Sequence, residues 1–242
     1  MKKETKKRQE MYAHFGSNYE VARYGDEFKE IYRQIRNETL LDIINQRYKN
    51  SEPIRVLEIG CGTGMTITFL ASACNNMDLQ GLDFSHTMLS QAYQKLDVSD
   101  RKFELVQGNV FDLPFDNNSF DVVYSTRFIH QFNQEEKKII YKEMERIIQP
   151  GGLTITEFYT RHGKLLRNLR GEKENPLHYQ CPTESEVCDL TAGSFKKWPV
   201  RMIGLRAVYK MFGMQALKFL ISTTNIPILS LLREEYFVVT KK

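Results

Sequence analysis

At 242 residues, 41% hydrophobic and 26% charged, the chain has the balance of an ordinary folded protein, and it is long enough to bury a core without a disulfide or metal staple. Its cysteines, Cys61, Cys74, Cys181 and Cys188, are too widely spaced for a CxxC zinc site and too sparse for a disulfide framework, so no metal is expected and the thiols read as reduced. The formal net charge of +4 excludes little by itself, because the charge is unevenly spread.

The chain opens with Lys2, Lys3, Lys6, Lys7 and Arg8 and no apolar stretch behind them, which reads as a solvated tail rather than a secretory signal. The expected location is cytoplasmic. Residues 1–50 are helical in pattern. From about residue 54 to residue 159, strand and helix patterns alternate, which implies a parallel sheet with helices on both faces. Ile54 to Ile59 reads as a buried strand, followed by a glycine turn and a helix to about Asn75. Leu79 to Asp83 is a second strand, after which Ser85 caps a helix to about Leu96. Phe103 to Val106 and Phe120 to Tyr124 are the third and fourth strands. Asn133 with Glu136 forms a capping box, opening a helix that stops at Pro150-Gly151-Gly152. Leu153 to Phe158 is the fifth strand. Gly163, Gly171, Pro176 and Pro182 mark residues 160–182 as a long loop or lid. Thr183 and Glu186 suggest another capping box, Gly193 a helix stop, and Tyr236 to Thr240 a terminal strand. No linker separates a second domain. The chain is therefore expected to be one domain: a helical cap (1–50), a core (53–159), a lid and substrate-side insertion (160–232) and a terminal strand (233–242).

The chemistry sits at the first strand's end. Glu58-Ile59-Gly60-Cys61-Gly62-Thr63-Gly64 hands a strand over to a helix, where glycines allow a tight turn and close approach of a ligand. NAD-binding proteins use a similar turn, so the glycines alone do not discriminate. Two details do. Glu58 places a negative charge where a pyrophosphate would be repelled but an amino group or a sulfonium centre would be attracted. The spacing also lacks the last glycine of G-x-G-x-x-G, since position 65 is Met and position 66 is Thr. Asp83 ends the second strand, where a carboxylate can accept hydrogen bonds from both ribose hydroxyls of an adenosine ligand.

The stretch Val56 to Gly64 resembles the first motif of class I S-adenosylmethionine-dependent methyltransferases, nearly residue for residue. Gly81 to Leu89, Gly108 to Phe115, Phe120 to Ser125 and Pro150-Gly151-Gly152 resemble the following motifs in the family's order, covering about residues 53–158. The flavour is that of the small-molecule branch, which includes ubiquinone and menaquinone biosynthesis methyltransferases. The resemblance implies an α/β, Rossmann-like, doubly wound seven-stranded sheet, mostly parallel with an antiparallel terminal strand. It would carry a helical N-terminal extension and a helical C-terminal insertion. It implies S-adenosyl-L-methionine as cofactor. Glu58, Gly60 and Gly62 would then meet the methionine end, with Cys61 and Gly64 in the same turn, and Asp83 would anchor the ribose. Phe84 and Met88 would flank adenine, Asn109 and Val110 its edge, and Ser125 would sit beside the methionine moiety. Tyr19, Arg23 and Tyr24 resemble an N-terminal stretch that covers the cofactor. One departure is Asn109, where the family commonly has aspartate; its carbonyl can still accept from an adenine amino group.

Methyl transfer needs mainly alignment and exclusion of water, and an oxygen acceptor also profits from a general base. Candidates are His130, His162, His178 and Glu157, with His130 preferred because it follows the fourth strand. At the far end, Leu205, Val208, Phe212, Ala216 and Phe219 recur at helical spacing opposite Arg206, Lys210, Gln215 and Lys218, a basic amphipathic helix. No acidic residue occurs from Phe195 to Arg233. This segment reads as a lid over a small apolar or amphipathic acceptor, as a peripheral contact with an anionic membrane, or as a dimer interface, leaving monomer and homodimer open. The apolar run from Phe219 to Leu232 is too short and too interrupted to span a bilayer. An NAD-dependent oxidoreductase is disfavoured by Glu58. An RNA methyltransferase and a non-catalytic cofactor-binding protein are the alternatives. Nucleic acid is disfavoured, because the sequence carries no Asn-Pro-Pro-Tyr-like or Asp-Pro-Pro-Tyr-like tetrapeptide of the kind used to methylate base amino groups.

Overall fold

The computed structural model describes residues 27–48, 53–96, 103–160, 181–202 and 233–242, with positions 215, 216 and 219. Seven strands form one sheet: β1 (Ile54–Ile59), β2 (Met77–Asp83), β3 (Glu104–Gln107), β4 (Phe120–Ser125), β5 (Ile148–Tyr159), β6 (Lys196–Met202) and β7 (Arg233–Lys241). Their order is β3-β2-β1-β4-β5-β7-β6. β1 through β5 pair in parallel, while β7 runs antiparallel to both of its neighbours. This is the Rossmann-like, mostly parallel sheet that the resemblance implies.

Both faces of the sheet are covered, which is why β1 and β4 read as continuous apolar runs rather than alternating ones. On one face Val56, Val122, Ile155 and Phe237 pack with Leu40, Ile43 and Ile44 of helix α1 (Glu27–Tyr48) and with Ile67 and Leu70 of helix α2 (Met65–Ala73). On the other, Leu57, Ile59, Val123, Phe158 and Val238 pack with Ile140, Met144 and Ile147 of helix α4 (Gln134–Ile147). Helix α3 (His86–Leu96) follows β2, and its Met88 N–H reaches the Ser85 hydroxyl at 3.4 Å.

Both expected capping boxes are present. Asn133 Oδ1 accepts the Glu136 N–H at 2.9 Å, and Glu136 returns the bond to the Asn133 N–H at 3.0 Å. Thr183 and Glu186 do the same at the start of helix α5 (Glu184–Leu190). Each box satisfies two N–H groups that a helix start would otherwise leave unpaired.

Strand ends shift by one to five residues from expectation, β2 starting at Met77, β3 at Glu104 and β7 at Arg233, and three differences are of more consequence. α2 stops at Ala73, α4 yields to β5 at Ile148, and β6 lies where no strand is legible. β6 carries Lys196, Lys197, Pro199 and Arg201, and it sits at the edge of the sheet with its register broken at Pro199/Arg201. An edge strand tolerates proline and lysine that a central one would not. Tyr19, Arg23, Tyr24, His162, His178 and most of the basic amphipathic segment lie outside the described residues. Within that segment, positions 215 and 216 are helical and Phe219 is 69% exposed. Among the described residues no helix is long and apolar enough to cross a membrane.

Candidate active site

β1 ends at Ile59, and the chain then turns through Gly60, Gly62 and Gly64, whose φ angles are 72°, 53° and 75°. A side chain at Gly60 would place its Cβ 2.3 Å from Phe128 Cδ2, so the Phe128 ring packs directly onto the bare backbone. Gly62 has open space where a Cβ would be, and its N–H donates to Asp83 Oδ2 at 2.9 Å. Asp83 Oδ1 accepts the Ser85 N–H at 2.8 Å. Burial pushes the Asp83 carboxyl up, and these N–H bonds oppose it.

Glu58 lies on the same face of β1 as Val56, buried beneath the turn. Its Oε2 accepts from the Tyr124 hydroxyl at 3.1 Å and its Oε1 from the Thr126 hydroxyl at 3.2 Å. Burial raises its pKa from 4.5 to about 8, against the pull of these bonds and of Arg36. Burial likewise pushes the Cys61 thiol well up, aided by Asp83 and Glu58, which leaves it an inert thiol.

These groups face one cavity at the carboxyl ends of β1, β2 and β4, where open parallel sheets bind ligands. It encloses about 1080 Å³ including its open mouth, room for a nucleoside joined to an amino acid. Glu58, Gly60, Cys61, Gly62, Asp83, Phe84, Met88, Asn109 and Val110 all line it. Asn109 shapes its own loop, because its Oδ1 accepts the Phe111 N–H at 3.1 Å. Arg146 of α4 clamps the following residues by donating to the Phe115 and Leu113 carbonyls at 2.7 and 2.9 Å.

Among the described residues, four expected ones do not line the cavity. Gly64 is the N-cap of α2, with Ala92 3.0 Å from where its Cβ would be. Ser125 is buried at the end of β4, and its neighbour Thr126 presents the hydroxyl instead. His130, the expected general base, is 1% exposed in a 3-10 turn (Ile129–Gln131), its ring edge-on to Tyr159 at 4.7 Å. That turn folds His130 inward, while Phe128, Gln131 and Phe132 meet the cavity. Glu157, the other candidate base, is also buried and outside the lining.

The sequence reading missed Arg36, which lines the cavity although it is 1% exposed on α1. Its signal is an arginine within the buried stripe of Tyr32, Ile35, Leu40 and Ile43, a place where arginine needs a partner. Its charge acts on Glu58 and Glu157. Among the described residues no group of His, Cys, Asp or Glu could hold a metal ion.

The carboxylates, the open Gly62 backbone and the apolar walls fit a cation-bearing nucleoside ligand. Residues 56–152 match a family model described as a methyltransferase domain. The chain is similar to a demethylmenaquinone methyltransferase of Bacillus licheniformis, 40% identical over 100 residues, which are 41% of this chain and 42% of that protein. The chain thus matches less than half the length of that curated relative. Two solved structures share the fold. The PH0226 protein of Pyrococcus horikoshii has a TM-score of 0.61 at 20% identity, covering 87% of this chain and 91% of that one. A SAM-dependent methyltransferase of Methanosarcina mazei has a TM-score of 0.56 at 20% identity, covering 83% and 96%. Residues 56–152 thus match a methyltransferase domain and resemble the menaquinone-type enzymes there, and the chain has the Rossmann-like fold of the two solved structures.

Proposed function

We propose that the chain transfers a methyl group from S-adenosylmethionine to a small apolar or amphipathic acceptor. The observation that carries this reading is the placing of Glu58 and Asp83 on opposite sides of the glycine turn, both facing one cavity. Asp83 is held in place by two N–H groups, ready to accept from ribose hydroxyls. Glu58 presents its carboxyl to the amino acid end, where a cation favours the ionised form, beside Gly60, Cys61 and Gly62. Phe84 and Met88 bracket the base, and Asn109 and Val110 meet its edge. When bound, the sulfonium supplies an electrophilic methyl group and departs as a neutral thioether. The chain's own work is to align the two partners and exclude water.

Phe111, Phe128 and Phe132 support an apolar acceptor. They meet edge to face, with Phe132 centred 5.6 Å from Phe111 and 4.9 Å from Phe128. Arg36, Arg127 and Gln131 add the polar groups of the same lining. We also propose that the basic segment between residues 195 and 233 rests on anionic lipid, supported by the exposure of Phe219 and the lack of any acidic side chain there. The substrate class is tested by incubating the protein with methyl-labelled S-adenosylmethionine and a panel of quinols, phenols, amines and RNA. Label in a quinol or phenol supports the reading, and label in RNA alone contradicts it.

A further inference from the structure

Glu157 on β5 and Glu235 on β7 lie on the sheet face that α1 covers. The register pairs Glu157 with Phe237 and Tyr159 with Glu235, so the two glutamates are diagonal neighbours on that face. They are 0% and 2% exposed. Each carboxyl takes a donor from a different element. The Arg127 N–H donates to Glu157 Oε2 at 2.7 Å, and the Tyr32 hydroxyl of α1 donates to Glu235 Oε2.

Glu157 Oε1 is buried without a hydrogen-bond donor, and the Glu235 carboxyl is within hydrogen-bonding reach of Glu157. Two ionised carboxylates have no proton to offer each other, so such a contact is repulsive unless one proton lies between them. Burial and the nearness of Glu235 push Glu157 upward, while Arg36 and Arg127 pull the other way. Among the described residues, Arg36, Arg127, Tyr32 of α1 and Tyr159, which is paired in register with Glu235, are charged or titratable groups facing the pair.

The pair bears on the cavity through Arg127, a non-glycine residue with φ of 53°. That conformation is disfavoured for a residue that carries a Cβ, and it persists where its surroundings over-determine it. Here the surroundings include the Glu157 carboxylate on the Arg127 amide. The turn so held brings Arg127 and Phe128 into the cavity wall, with Phe128 against Gly60. We propose that Glu157 and Glu235 hold one proton between them and act as a positioning pair, Glu157 fixing the Arg127 turn that walls the cavity and Glu235, through Tyr32, tying that hold to α1.

The first test is the infrared carbonyl band of protonated carboxylic acids in the full chain at mildly acid pH. Glu58 contributes such a band too, so the variants are read as differences from the unaltered protein. Glu157→Gln and Glu235→Gln should each remove the same component, because either amide replaces the shared proton. The double variant should remove no more than a single one. Unchanged intensity in the single variants, or a doubled loss in the double variant, overturns the shared proton.

The second test rests on the methyltransferase reading and follows S-adenosylhomocysteine binding by calorimetry. Glu157→Ala should weaken binding by about tenfold, the scale of one lost charge-assisted hydrogen bond. Glu157→Gln, which keeps an acceptor oxygen, should recover most of that loss. In an Arg127→Gly background, where glycine takes the turn freely, the penalty of Glu157→Ala should shrink. An equal penalty in both backgrounds, or no recovery with glutamine, overturns the positioning role. Should S-adenosylhomocysteine not bind at all, the same four variants are compared by thermal unfolding, where the same pattern of recovery and shrinkage is expected and its absence counts against the pair.

Discussion

Asp83 Oδ2 accepts the Gly62 N–H at 2.9 Å across the gap between the end of β2 and the glycine turn after β1. With Oδ1 on the Ser85 N–H, one carboxylate orders both chain segments that border the cavity. Asp83 is thus built into the fold as well as facing the cavity.

Replacing Asp83 by alanine should therefore lower stability as well as affinity. Two backbone N–H groups lose a charged acceptor, which costs about 1.5–3 kcal/mol for each in the stronger cases. S-adenosylhomocysteine should bind at least about tenfold more weakly. Asp83→Asn, which keeps an acceptor oxygen, should fall between the two. Denaturant unfolding and calorimetry on the three proteins check the order.

Glu58 should release a proton when the cofactor binds. Burial raises its pKa to about 8, so that it holds a proton at neutral pH, and a cation beside it favours the ionised form. The same shift fixes a sign for stability. The folded protein binds this proton more tightly than the unfolded chain, so Glu58's contribution falls as pH rises from about 4.5 to about 8. Calorimetry in two buffers of different ionisation enthalpy counts the proton. Glu58→Gln should abolish the release, and an unchanged release in that variant would assign it elsewhere.

Gly60→Ala should be severe. The positive φ costs about 1–3 kcal/mol for a non-glycine residue. The new methyl group would also lie 2.3 Å from Phe128 Cδ2, so the ring must leave its place. Adding Phe128→Ala should relieve the clash but not the backbone strain, giving partial recovery of the melting temperature. Full recovery would show that φ at Gly60 is not strained.

The basic segment yields a salt-dependent prediction. Changing Arg206, Lys210 and Lys218 together to glutamine should reduce sedimentation with anionic vesicles at low salt and leave cofactor affinity unchanged. No sedimentation of the unaltered protein at low salt would remove the lipid contact.

What the sequence made legible was local. The strand Ile54–Ile59, the glycine turn, Asp83 and both capping boxes are each written within a few consecutive residues, where spacing and side-chain type dictate the backbone. The seven-stranded sheet and its antiparallel terminal strand came through family resemblance, not periodicity, and the strand order came only from the structure. β6 was hidden because Pro199 and three basic residues mask its alternation at a sheet edge, where strand rules relax. Arg36 and the Glu157–Glu235 pair were hidden for another reason. Their partners lie far away in sequence: the pairing of β7 with β5 brings the two glutamates together, and the docking of α1 on the sheet brings Arg36 to them. His130 shows the converse. Its place after β4 was read correctly, but a single 3-10 turn decides which of Phe128, His130 and Gln131 meets the cavity.

On the proposed function, the cavity at the carboxyl ends of β1, β2 and β4 takes S-adenosylmethionine through Glu58 and Asp83. The most direct test is calorimetric titration of the full chain with S-adenosylmethionine, S-adenosylhomocysteine and NAD at equal concentrations, with Asp83→Ala alongside. The account predicts one-site binding of the first two, strong loss of both in the variant, and no heat from NAD. Binding of NAD without either sulfur nucleoside, or affinity unchanged in Asp83→Ala, would contradict it.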